Sequence, residues 1–216
     1  MQVEIFSDVV CPWCYIGKRR FEAALAAFPH AEDVTVTYRS FQLDPDAPAR
    51  STQSVEQHLA AKYARTLEQA REMNQRVTDL AAGVGLDFRL EKAQRANTFD
   101  AHRLLHLADA RGVQADLAER LLDAYFTRGA VVSDHAELTE FAVAAGLDRA
   151  EVGAVLAGDD FAEQVRADLA LAGRFGISGV PFFVFDRTYG VSGAQETNVF
   201  SEVLERVWTD TQATAH

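Results

Sequence analysis

A chain of 216 residues, 48% of them apolar, can bury a full core as one elaborate domain or two small ones and is not disordered. Its net charge of −11 excludes generic binding to nucleic acid or anionic membranes, since phosphate contacts need clustered Lys and Arg that this chain does not display. Neither a signal peptide nor an apolar run of about 18 residues is visible, so a cytoplasmic location is expected, although a chain already stripped of its signal would look the same.

Gln2-Val3-Glu4-Ile5-Phe6 alternates polar and apolar side chains and reads as a strand, followed by the turn-like Ser7-Asp8. Next comes Cys11-Pro12-Trp13-Cys14, which holds both cysteines of the chain. Chance rarely sets two cysteines three apart in such a length, so the spacing is a signal. Tyr15, Ile16, Phe21, Ala24, Leu25 and Phe28 recur at helical spacing and Pro29 marks the stop, so the motif opens a helix. Pro12 is tolerated there because the first turn has N–H groups with no intrahelical partner.

Cys11 then sits at a helix N-terminus, where partial positive charge favours thiolate over thiol, and Cys14 lies about one turn on, beneath it. That geometry makes Cys11 the attacking sulfur and Cys14 the resolving one. The alternatives are two structural cysteines or a metal site. Zinc needs about four ligands. Among His30, His58, His102, His106, His135 and His216, only His102 and His106 share helical ligand spacing, and helix surface or packing explains them more simply. No metal is expected. Asp8, three residues before Cys11, either caps the helix or serves its turn, or assists proton transfer from Cys14.

Val34 to Phe41 is a second period-2 run that pairs beside the first strand, giving a βαβ start. Asp44-Pro45-Asp46-Ala47-Pro48 breaks the pattern and marks a domain junction. From Ser51 to Arg174 the texture is helical. Ser54 and Gln57 form a capping box, and a run through Leu59, Tyr63, Leu67, Met73 and Leu80 ends at Gly83 and Gly85. Later helices span 101–111, 116–128, 134–145 and 161–174, each stopped by a glycine suited to the left-handed conformation. Leu121, Leu122, Tyr125 and Phe126 read as core. No repeat length recurs, so the segment is an irregular bundle. Gly179 to Phe185 is a continuous apolar run suited to a strand buried on both faces, Asp186-Arg187 a turn, Tyr189 to Ser192 a further strand in a hairpin, and Glu196 to Trp208 a closing helix. Pro181 at the head of a core strand signals a special loop geometry.

A strand, then Cys-Pro-Trp-Cys on a helix start, then Gly179-Val180-Pro181 before the third strand resembles the thioredoxin fold, and the large helical insertion resembles the DsbA family. Phe6 to Gly17, Asn97-Thr98 with Ala101-His102-Arg103, Gly179 to Val184, and Ser192-Gly193-Ala194-Gln195 are similar to its FrnE-like branch over nearly the whole chain. The resemblance implies an α/β thioredoxin fold (βαβ…ββα) with an all-helical insertion: 1–48 and 175–216 as the thioredoxin-like domain, 49–174 as the inserted one. It implies a thiol-disulfide oxidoreductase acting on protein or peptide thiols and disulfides, or on glutathione as a co-substrate, with no tightly bound cofactor. A monomer and a homodimer are both compatible.

By the same resemblance, Cys11, Cys14 and Pro181 are the catalytic set, and Val180-Pro181 is a cis-proline loop offering its backbone to an extended peptide beside Pro12 and Trp13. Asn97, His102 and Arg103 would face the cleft, unless they are helix surface. Gly193-Ala194-Gln195 would offer amides at the last helix to a carboxylate such as glutathione's, unless they only cap it. Trp13 departs from the His of the strongly oxidising members, which implies a milder potential. Kappa-class glutathione transferases and 2-hydroxychromene-2-carboxylate isomerases share the insertion and the proline loop but place a serine at the position of Cys11. A third reading is a peptide-binding holdase chaperone that uses the apolar cleft around Trp13 and Phe182.

Overall fold

A computed structural model describes residues 1–214; His216 lies outside them. Strands β1 (Gln2–Ser7), β2 (Thr35–Ser40), β3 (Phe182–Phe185) and β4 (Tyr189–Ser192) form one sheet in the order β2-β1-β3-β4. β1 runs parallel to β2 and antiparallel to β3, with Ile5 opposite Tyr38 on one side and Phe183 on the other. The parallel pair needs a crossover, supplied by helix α1 (Pro12–Ala27). The closing helix α9 (Thr197–Thr214) packs beside α1. Together they cover the sheet face carrying Ile5 and Phe183, where the rings of Phe21, Phe183 and Phe200 lie 4.6 to 5.7 Å apart.

Between β2 and β3 run α2 (Val55–Lys62), α3 (Leu67–Ala82), α4 (Phe99–Ala110), α5 (Gln114–Asp123), α6 (His135–Ala144), α7 (Arg149–Ala157) and α8 (Ala162–Arg174). Phe6 and Val184 on the second sheet face pack with Ala172 of α8. The outer edge of β2 is blunted by side chains. Gln114 accepts from Tyr38 N–H at 2.8 Å and donates to its carbonyl at 3.0 Å, and Asp168 accepts from Ser40 N–H at 2.9 Å. One hydrophobic cluster runs from Ile5 and Phe21 through Leu104, Leu117 and Leu138, so sheet and helices share a core.

Several elements differ from the sequence expectation. The run from Leu59 to Leu80 is two helices, because Thr66 caps a new one with Gln69 in a second capping box and Ala64 turns left-handed at φ 51°. α7 has no counterpart in the sequence reading; Asp148 caps it by accepting from the N–H groups of Ala150 and Glu151. Residues 124–128 leave the α5 helix as a π turn. Gly85, Gly112, Gly129, Gly146 and Gly176 are left-handed as expected, but Gly83 is right-handed. Glu4, on the polar side of an alternating strand, is buried rather than solvated, since Arg187 at 2.9 Å and Arg39 at 2.8 Å neutralise it. Those hydrogen bonds, Arg187's first, outweigh burial and lower its carboxyl.

α1 is tied to α5 by Glu119, which accepts from Tyr15 at 2.5 Å, Lys18 at 2.6 Å and Arg19 at 3.0 Å. Burial pushes this carboxyl up, but Arg19, Lys18 and Tyr15 together hold it at about 2. A depressed folded value stabilises the protein above the unfolded carboxyl's pKa of about 4.3 and is lost as pH falls towards 2. Glu119→Gln is therefore expected to cost about 1–3 kcal/mol at pH 7 and to flatten the acid limb of stability between these values, read by denaturant unfolding at stepped pH. An unchanged acid limb would contradict this.

Candidate active site

β1 ends at Ser7, and a turn closed by Cys11 N–H donating to the Asp8 carbonyl at 3.0 Å delivers Cys11 to the N-cap of α1. Cys11 is extended at φ −94° and ψ 113°, Pro12 occupies the first turn, and no side chain caps the helix. Nor does any acidic residue stand in that turn, so the positive end of the helix dipole is left for the sulfur. Both cysteines are free thiols. Burial, then the hydrogen bond to Cys11 and its charge, push the Cys14 thiol well above its usual range; Ser7 and the Asp8 backbone pull weakly the other way.

The Val180-Pro181 peptide is cis, and the Cys11 thiol donates to the Val180 carbonyl at 3.5 Å. Gly193 N–H donates to the Pro181 carbonyl at 2.8 Å, and Arg20 donates to the Ala194 carbonyl at 2.7 Å. On α1, a Cβ at Gly17 would meet Pro181 Cγ at 3.0 Å and Ala194 Cβ at 3.3 Å. Glycine lets the helix and the proline loop touch. Gly17→Ala is expected to cost about 1–3 kcal/mol and, by lifting the loop from Cys11, to slow disulfide exchange about tenfold, checked by thermal unfolding and thiol-release kinetics.

The other expected site residues are not gathered at the thiols. His102 is buried and its Nε2 lies 3.3 Å from Asp8, whose second oxygen accepts from Leu43 N–H at 2.8 Å. The Asp8 carboxylate therefore does not cap α1; only its backbone serves the turn. Arg103 is buried with its guanidinium against the end of α7, donating to the carbonyls of Asp160, Gly158 and Val155 and to Asp100, and so supplies donors that the last turn of a helix needs. Asn97 donates to the carbonyls of Pro45 and Ala47 at 3.0 and 3.1 Å and so pins the loop after β2. His106 turns to Ser40 and Asp168. Gly193 and Gln195 spend their N–H groups on the carbonyls of Pro181 and Gly193, so this segment steadies the proline loop instead of presenting those amides to a ligand. Among the described residues, no three His, Cys, Asp or Glu side chains could hold a metal ion.

A pocket of about 360 Å³ opens beside Cys11, between Pro12 and Trp13 on one side and α2 and α3 on the other. Trp13 and Tyr63 stand at it, 40% and 51% exposed. Its wall includes Tyr125 and Phe126 from the π turn and Asn74 from α3. Gly129 closes that turn at φ 74°, 2.6 Å from the Lys92 carbonyl at its Cβ position, where no side chain fits. Tyr125 belongs to the core, as its spacing predicts, and also walls the pocket, whereas Asn74, one Asn on a polar helix, carries no sequence signal. A second cavity of about 340 Å³ lies along Gly176, Ile177 and Ser178 to Phe182 and Gly193.

The sequence matches the DSBA-like thioredoxin domain over residues 2–205. The structure is similar to that of a probable DsbA oxidoreductase from Streptomyces coelicolor, with 48% identity, a TM-score of 0.92, and 97% of this chain and 90% of that one covered. At lower identity it shares its fold with the cytosolic disulfide reductase DsbM of Pseudomonas aeruginosa (18%, TM-score 0.63, 100% of each chain). The same holds for a 2-hydroxychromene-2-carboxylate isomerase (14%, TM-score 0.69, 99% of each). With a thioredoxin-type sheet, its proline loop and a family match over almost its full length, the chain belongs to the DSBA-like thioredoxin domain family of oxidoreductases.

Proposed function

We propose that the protein exchanges a Cys11-Cys14 dithiol or disulfide with thiol or disulfide substrates. The observation that carries this is a Cys11 sulfur at an uncapped helix N-terminus, 3.5 Å from the Val180 carbonyl, with the buried Cys14 thiol one turn on. In the direction that reduces substrate, the Cys11 thiolate attacks one sulfur of a disulfide, the S–S bond breaks, and the far thiolate leaves. Cys14 then gives up its proton and attacks the Cys11 sulfur, releasing the second thiol and closing the internal disulfide. Two protein thiols are oxidised and one disulfide becomes two thiols; the reverse sequence oxidises a substrate.

Reduced protein mixed with glutathione disulfide is expected to release two glutathione thiols per chain, with no protein-bound glutathione left at the end. Absence of both thiol release and an internal disulfide would refute the reading. Glutathione as co-substrate is supported by the DsbM structure solved with GSH. The isomerase-like alternative has the shared fold in its favour, but Cys11 stands where those enzymes carry serine. Exposed Trp13, Leu43 and Tyr63 are what a holdase would use. Cys11→Ser separates the three: exchange vanishes, glutathione-dependent transfer persists, and holdase activity is unaffected.

We further propose that 1–48 and 175–216 carry the chemistry while 49–174 walls the substrate pocket, and that the protein works in the cytoplasm. No helix among the described residues is long and apolar enough to cross a membrane. Trp13 places no cation beside Cys11, so Trp13→His is expected to shift the equilibrium with glutathione towards the dithiol about tenfold, or about 30 mV. An unshifted equilibrium would contradict the assignment of a milder potential to Trp13.

A further inference from the structure

The pocket beside Cys11 carries polar groups that an extended peptide backbone on the Val180 loop does not use. Its apolar walls, with Val10, Leu59 and Val77 among them, enclose about 360 Å³, room for a bicyclic aromatic body. Asn74 is part of that wall, and its side-chain Nδ2 is buried with no hydrogen-bond partner. It is the one buried side-chain nitrogen or oxygen among the described residues in that condition. A donor left unpaired is costly, and an amide swings easily about its last torsion, so a bound acceptor would satisfy it.

Charge points the same way. Lys62, on the pocket wall at the end of α2, makes no ion pair among the described residues, while Arg95 is held by Asp44 at 2.6 Å. Burial and then Arg95 push the His58 imidazole down, with Lys62 adding to them against Asp44. The lining thus holds two cations against one carboxylate, in a chain whose net charge is −11.

We propose that this pocket takes a low-molecular-weight disulfide, or its thiol, with an apolar aromatic body and a carboxylate. The body lies against Leu59 and Val77, the carboxylate meets Asn74 and Lys62, and the sulfur reaches Cys11. This rests on the thiol-exchange reading above and names its substrate class. The bond changes are those already given: the Cys11 thiolate displaces one aryl thiolate, Cys14 then attacks the Cys11 sulfur and displaces the second aryl thiolate as the internal disulfide closes, and the protein dithiol supplies both electrons.

Binding is tested apart from chemistry in a C11S/C14S protein that also carries Trp208→Phe, which leaves Trp13 as its single tryptophan. Trp13 fluorescence is followed while naphthalene-2-carboxylate or the uncharged naphthalene-2-methanol is added. The carboxylate should bind about tenfold more tightly, and Asn74→Leu and Lys62→Gln should each remove most of that preference. Asn74→Asp, of the same shape, should repel the carboxylate and keep the alcohol, so a folding defect cannot mimic the result. Equal binding of the two probes, no binding of either, or an unchanged preference in the Asn74 and Lys62 variants would overturn the proposal. Failure of the exchange reading shows separately, as wild-type protein that forms no internal disulfide with 5,5′-dithiobis(2-nitrobenzoate) although the carboxylate still binds.

Discussion

Replacing Cys11 with serine is expected to lower turnover of disulfide substrates by about 10³-fold or more, to the uncatalysed background. A serine hydroxyl at the N-cap cannot carry the negative charge that a sulfur carries there, and it offers no S–S bond for Cys14 to open. Cys14 cannot substitute. Burial pushes its thiol well above the usual range, and the pocket is lined by Cys11 and not by Cys14, so no nucleophile remains there. Cys14→Ser differs in kind: the first exchange proceeds at a rate within about threefold of wild type, but release fails because no second sulfur stands beneath the first. Pre-steady-state thiol release distinguishes them, with no burst for Cys11→Ser and one thiol per chain for Cys14→Ser. A burst retained in Cys11→Ser would mean that Cys14 attacks on its own.

Arg103→Ala is expected to destabilise the fold by about 3–5 kcal/mol and lower the melting temperature by about 10 °C, while exchange by the folded protein stays within about twofold of wild type. Arg103 donates to the Asp160 carbonyl at 2.9 Å, to Gly158 at 2.6 Å, to Asp100 at 2.8 Å and to Val155. Deleting it removes the side-chain donor from the carbonyls of Val155, Gly158 and Asp160 at and just beyond the end of α7 and empties a buried site. The measurement pairs thermal unfolding with exchange assayed well below the transition. A variant with unchanged melting but lost exchange would return Arg103 to the substrate site, where the family resemblance put it.

The difference between the two arginine readings shows where sequence reasoning runs out. β1, α1 and β2 were legible because alternation and a cysteine pair on a helix start are local signals, and the Val180-Pro181 loop was legible through resemblance. Arg103 and His102 lie on α4 in a pattern that does not reveal which helical face meets α7 or Asp8, so their burial was hidden. The burial of Glu4 was hidden for the same reason: Arg187, its partner, is 183 residues away. The split at Thr66 was masked by an apolar run that continues through Tyr63 and Leu67, although Thr66 with Gln69 carries the same capping signal as Ser54 with Gln57. α7 is rich in small residues, with Gly153 inside it, and its start was signalled only by Asp148. The pocket was least legible of all. Asn74 and Tyr125 line one pocket only because a π turn and two helices converge beside Cys11.

What most directly tests the account is the mass of the two single-serine proteins after brief exposure to glutathione disulfide. The division of labour between the sulfurs predicts one glutathione, mapped to Cys11, on Cys14→Ser, and none on Cys11→Ser. Glutathione carried by Cys14 in the Cys11→Ser protein, or an unmodified Cys14→Ser protein, would contradict it.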